Sequence, residues 1–181
     1  MGFKLAGLLA SVSFVMGILF VCFNVDHRLL YQDITEQTIE DGFQFYTTFY
    51  NAPPAIKALL HTMVGVGLVS TMGKLFTWDE SAMFFDGSCV AIFVFAIAVY
   101  LSVTIPSLRT IVDPVPKVDT REDRVEAMRI LAAGNTIIIV LLGAILCLQA
   151  GQEYARRVTA KELARLDALE KETNAAAKKD S

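Results

Sequence analysis

Four long apolar runs separated by polar stretches organise this chain of 181 residues. Residues 5–25 carry no charge, and at about 1.5 Å of rise per helical residue such a run covers the roughly 30 Å hydrocarbon core of a bilayer. The run is longer than the apolar part of a secretory signal, and Phe20-Val21-Cys22-Phe23-Asn24 offers no small-x-small cleavage site, so it reads as a retained anchor. Residues 54–73 make the second run, opened by Pro53-Pro54, which suits a helix start because the first turn has no use for the missing N–H. The third, residues 88–105, is rich in Phe, Val and Ile, and Pro106 is expected to end it. The fourth, residues 130–151, is again uncharged. Lipid accepts only helices or closed barrels, so the pattern predicts an all-α polytopic membrane protein: one domain of four transmembrane helices over residues 1–151, then a charged tail at 152–181. The short connections predict antiparallel neighbours.

The polar stretches carry helical signals of their own. In the first loop, Asp33-x-x-Glu36 and Thr38-x-x-Asp41 both have the form of a capping box, and Ile39, Phe43, Tyr46 and Tyr50 fall on one helical face with Phe45 and Phe49 beside it. Such an aromatic helix either rests at headgroup depth or docks a partner, and Phe45, Tyr46, Phe49 and Tyr50 are the candidate contact residues. After the third run, Pro106, Pro114 and Pro116 predict an extended stretch, and Thr120-x-x-Asp123 is expected to cap a helix that runs into the fourth span. In the tail, Thr159-x-x-Glu162 is expected to start a short helix with Leu163, Leu166 and Leu169 in a stripe, giving way to irregular chain from Asn174.

Composition narrows the function. The chain is 54% hydrophobic and 19% charged, too apolar for an ordinary water-soluble domain, and its net charge of −3 offers nucleic acid no electrostatic footprint. Cys22, Cys89 and Cys147 each lie inside an apolar run and form no disulfide framework.

Reactive chemistry is sparse. Lys57 and His61 stand one helical turn apart in the second span, which makes them the candidate pair for a small transporter or membrane enzyme; Lys57, close to Pro54, can instead extend its ammonium to the interface. No His, Cys and carboxylate cluster has metal-site spacing, and no phosphate loop or nucleophile elbow is present, so neither a metal nor another cofactor is expected. Small residues recur every four positions in Gly2/Ala6/Ala10 and Gly143/Cys147/Gly151, spacing that permits close helix approach, and Asn135 and Gln149 are candidate interhelical hydrogen-bonding groups.

Lys178 and Lys179 stand fourth and third from the end of the sequence, the arrangement of a dilysine signal that returns membrane proteins to the endoplasmic reticulum and is read only in the cytosol. With both termini cytosolic, nine of the sixteen Lys and Arg fall on the cytosolic side, a weak bias in the direction of the positive-inside rule.

The order of these features resembles the fungal endoplasmic-reticulum packaging chaperones of amino-acid permeases, the secretory component protein family. The resemblance is carried by Phe45-Tyr46-Thr47-Thr48-Phe49-Tyr50-Asn51-Ala52-Pro53 before the second span, by Gly65-Val66-Gly67-Leu68-Val69 within it, and by Leu148-Gln149-Ala150-Gly151 with Tyr154 at the end of the fourth. It implies a multi-pass protein of the endoplasmic-reticulum membrane with no enzymatic role. Its membrane domain would shield permease helices, with Gly65, Gly67, Asn135, Gly143, Gln149 and Gly151 as candidate helix contacts, and its tail would present cargo to vesicle coat components.

Overall fold

In the computed structural model, which describes the backbone of residues 2–76 and 80–179 and the side chains of 2–76 and 83–172, the regular elements are all helical. Six α-helices follow in order: α1 (Phe3–Tyr31), α2 (Glu36–Tyr50), α3 (Pro54–Leu75), α4 (Glu80–Val99), α5 (Ile105–Val112) and α6 (Arg121–Lys179). A π-helical turn, Tyr100–Thr104, joins α4 to α5. Four stretches are long and apolar enough to cross a membrane: Phe3–Tyr31, Pro54–Leu75, Met83–Val112 and a segment within Arg121–Glu172. They pack as a ring in which α1 touches α3 and α6, and α4 touches the same two helices.

Two apolar cores stack along this ring. The first lies within the spans and is centred on Leu8, Val12, Phe93, Ala96, Leu142 and Ile145. The second sits at the end where α2 and α5 cover the bundle, built from Leu29, Phe43, Tyr46, Ile111, Met128 and Leu131. We call this the loop end, and the opposite one the tail end. At the tail end, Lys4 Nζ donates to the Gly73 carbonyl at 2.6 Å, so a cation from the start of α1 satisfies an orphan acceptor at the end of α3.

Several boundaries differ from those expected, each for a physical reason. Pro106 does not end its helix. In the π turn the Ile105 N–H donates to the Tyr100 carbonyl, five residues back, and this wider turn accommodates the proline so that the apolar rod continues to Val112. The third span also begins earlier, since Asp86, which looked like a boundary, is buried and paired. Helix α2 starts between the two proposed boxes: Thr35 is its N-cap, accepting from the Thr38 N–H at 3.2 Å, while Thr38 and Asp41 both receive Arg28. The Thr120/Asp123 box does form, its two reciprocal bonds at 2.8 and 3.2 Å opening α6. In the tail, by contrast, Thr159 caps nothing; its hydroxyl donates to the Ala155 carbonyl inside a helix that is unbroken from Arg121 to Lys179, through Asn174 and beyond.

The small-residue stripes expected at the interfaces face outward at all positions but Gly151 and Gly143, which are half-buried. Gly2, Ala6, Ala10 and Cys147 are exposed, and a side chain added at Gly65 or Gly143 would meet nothing within 4 Å. Close approach occurs instead at Gly7, where an added Cβ would lie 2.6 Å from Ser70 Oγ, and at Gly67, where it would strike Ser11 Oγ and the Phe93 ring. Ser11 Oγ also donates to the Met63 carbonyl at 2.6 Å, which brings α1 and α3 together at backbone distance. Gly67→Val should therefore destabilise the bundle by about 1–3 kcal/mol through overpacking, while Gly65→Val and Gly143→Val stay near the parent. Thermal denaturation in detergent distinguishes them, and equal melting of the three variants would contradict the packing described.

Candidate functional site

Polar residues buried among the spans gather into two knots, one at each end of the bundle. At the loop end, Asp26 of α1 accepts from the Tyr46 hydroxyl of α2 and, at 3.0 Å, from the Asn135 amide of α6. Burial, then the adjacent Asp26 carboxylate, raise the Tyr46 phenol above its ordinary pKa, so it stays protonated and remains a donor. At the tail end, Lys74 of α3 lies 2.8 Å from Asp86 of α4 and donates to Gln149 and, at 2.9 Å, to Gln152 of α6. The ring closes through the two amides: Gln152 Nε2 donates to Asp86 Oδ2 at 3.1 Å, and Gln149 Nε2 to Cys89 Sγ at 3.2 Å. Asn135 and Gln149 thus make interhelical bonds, and a Cβ added at Gly151 would meet the Phe85 ring at 3.4 Å. Asp26, Lys74, Asp86 and Gln152 escape a reading of apolar runs because a charge or a polar amide at the edge of such a run looks like its end. The available signal was polar spacing: Asp86/Cys89 and Gln149/Gln152 are each three residues apart, on one helical face.

Helix α2 sorts the aromatic residues into two sets. Tyr46 and Phe43 turn inward, Phe43 beneath the Arg124 guanidinium at 4.4 Å, and Arg124 Nε donates to the Ile111 carbonyl at 2.9 Å. Tyr46 is therefore a core residue here and not an outward contact. Arg121 ties the outer face of α2 to α6 through Glu36 and, at 3.1 Å, Glu40. Phe45 and Phe49 remain half-buried and flank a groove of about 670 Å³ between α1, α2 and the start of α3. Ile18, Val25, Ile56 and Leu60 line its apolar wall, and Arg28, Asp41 and Lys57 its rim.

The side chains of Lys57 and His61 each have a different ring or hydroxyl partner. Lys57 Nζ lies over the Tyr50 ring, 5.1 Å from its centre. His61 Nδ1 is 2.7 Å from the Lys57 backbone carbonyl, and its Nε2 is 3.4 Å from the Tyr100 hydroxyl. The side chains of Lys178 and Lys179 lie outside the described residues.

The family model described as ER membrane protein SH3, a chaperone family, matches residues 1–181. The chain belongs to the SHR3 chaperone family. Among curated proteins and solved structures nothing matches. For this endoplasmic-reticulum membrane chaperone the clients are membrane proteins, and the bundle must hold its shape while surrounded by lipid and unfolded helices.

The tail-end knot does much of that holding, because breaking a buried pair leaves a charge uncompensated whereas removing both charges does not. Lys74→Met should cost about 3–5 kcal/mol of stability, and Lys74→Met combined with Asp86→Leu should recover most of it. Unfolding titrations in mixed micelles measure both, and a double variant as weak as the single one would show that charge is not what the knot requires.

Proposed function

We propose that this chaperone assists the folding of amino-acid permeases in the endoplasmic-reticulum membrane and, through a cytosolic tail, delivers them to vesicle coat components. The observation that carries the client half of this reading is the exposure of α3. Only 11% of its most apolar stretch is buried within the protein, against 28–39% for the other three spans, so Leu59, Val66, Val69 and Met72 face the bilayer. A helix this open presents a permease segment with a side-on apolar surface, and the rings of Phe45, Phe49 and Tyr50 extend that surface to the membrane boundary. Gly65 opens a notch in the same face.

The tail supports the second half. Beyond Gln152 the described residues of α6 are mostly exposed and mix acids with bases, a surface too polar to hold a transmembrane helix. Residues 1–151 then form the client-binding domain and residues 152–181 the coat-facing one, with both termini in the cytosol and Lys178-Lys179 as the return address.

Truncation after Arg157 should leave permeases protected from aggregation but exported less well, while Phe45, Phe49 and Tyr50 changed together to Ala should weaken protection. Crosslinking to a permease checks the division of labour, which fails if the truncated protein loses its crosslinks and the aromatic variant keeps them. Separately, Lys178→Ser with Lys179→Ser should let protein escape to the Golgi, and a tag at Ser181 should be digested by protease added to sealed microsomes. Unchanged residence or a protected tag would reverse the assignment of address or orientation.

A further inference from the structure

The groove at the loop end does not stop at the membrane boundary. Ile18, Phe49 and Leu60 line both it and a second, smaller cavity of about 80 Å³ that continues inward between α1, α3 and the π turn, where Val15, Val64 and Tyr100 form part of the wall. From Arg28 to Ile18 is ten residues of α1, about 15 Å of helix, or half the roughly 30 Å of bilayer hydrocarbon. The trough therefore begins at headgroup level and descends through one leaflet.

Its two ends differ in chemistry. The rim carries two cations to one acid: Arg28 is 2.9 Å from Asp41, while Lys57 rests over the Tyr50 ring with no acidic partner among the described residues. The inner wall is apolar, and Thr104 in the π turn is one of its lining residues; its buried hydroxyl has no hydrogen-bond partner among the described residues. Water finds too few partners there to be held, and the volume of the groove falls within the roughly 300–1,000 Å³ of small-molecule sites.

We propose that groove and cavity together bind one glycerophospholipid of the surrounding bilayer. Its phosphate lies at Lys57 and Arg28, one acyl chain follows Ile18, Leu60 and Val64 inward, and the Thr104 hydroxyl is a donor for an ester carbonyl. The charge order supports this occupant over a transmembrane segment of a client, which would bring no anion to the rim. The site is independent of which membrane protein the chaperone serves.

The test uses the full chain in phosphatidylcholine vesicles, with and without phosphatidylinositol, containing phosphatidylcholine with a photoactivatable diazirine on one acyl chain. Crosslinks mapped by mass spectrometry should concentrate on Ile18, Leu60 and Val64 relative to the outward-facing Val69 and Phe95. Leu60→Trp, which fills the neck, should reduce groove labelling about tenfold without changing that of Val69, and Lys57→Met, a change at an exposed residue, should reduce it several-fold. Stronger competition by phosphatidylinositol would assign the site to anionic lipid, and equal competition to the bulk zwitterionic lipid. Labelling as even in the groove as on the outward faces, and indifferent to both substitutions, would mean boundary lipid only and overturn the proposal. So would a groove left unlabelled while Val69 and Phe95 react, since lipid would then not enter it.

Discussion

Hydrocarbon offers a polar side chain no hydrogen bond, so a charge within a helix bundle is tolerated only where its partners are carried on neighbouring helices. Lys74 and Asp86 meet that condition at the tail end, with Gln149 and Gln152 accepting the remaining ammonium protons. Asp26, Tyr46 and Asn135 meet it at the loop end. Each knot joins three helices, and α6 belongs to both. The apolar contacts between the knots could slide, because lipid tails are as apolar as leucine and give no preference for helix against helix. Hydrogen bonds with fixed partners remove that freedom and set the register of α1, α3 and α4 along α6.

With the register set, close packing becomes a matter of shape. Gly67 lets Phe93 and Ser11 reach the surface of α3, and Ser11 reaches further, to the Met63 carbonyl. The π turn performs a related task on the other side of the ring. It absorbs Pro106 within a continuous helix and places Thr104 beside Gly134 of α6, where an added Cβ would sit 3.5 Å from the hydroxyl. Glycine and proline here shape surfaces inside helices that remain continuous.

Hydrophobic runs made the four spans, their order and the all-α class legible in the sequence, because a bilayer imposes length and apolarity on each helix separately. The Thr120/Asp123 box was legible for a similar reason: capping is local chemistry. Pairing is not local. Asp86 and Lys74 look like boundaries until each is seen to neutralise the other across two helices, and Pro106 looks like a terminator until the π turn is seen. In α2 the periodicity identified an aromatic face but not which way it turned. Tyr46 points inward because Asp26 and Asn135 wait for its hydroxyl, and those partners lie 20 and 89 residues away in sequence. The small-residue stripes located few of the close approaches for the converse reason, since four-residue spacing shows that a face is flat without showing what lies against it.

Helix α6 was expected as two pieces and is one rod of 59 residues, roughly 90 Å long. A change of composition near Gly151 marks where the surroundings change, not where the helix ends, since the tail residues are good helix formers and pairs such as Glu153–Arg157, at 2.8 Å, support it outside the bundle. This continuity gives the loop end and the tail a shared frame. Asn135 fixes the rotation of α6 at one level, and Gln149 and Gln152 fix it at another, so the angular position of the residues just beyond Gln152 follows from the two knots through the helical repeat alone. The faces that the first turns of the tail present, Tyr154 and Val158 on one side and Arg156 on the opposite one, are therefore set inside the membrane, by the same hydrogen bonds that hold the spans in register.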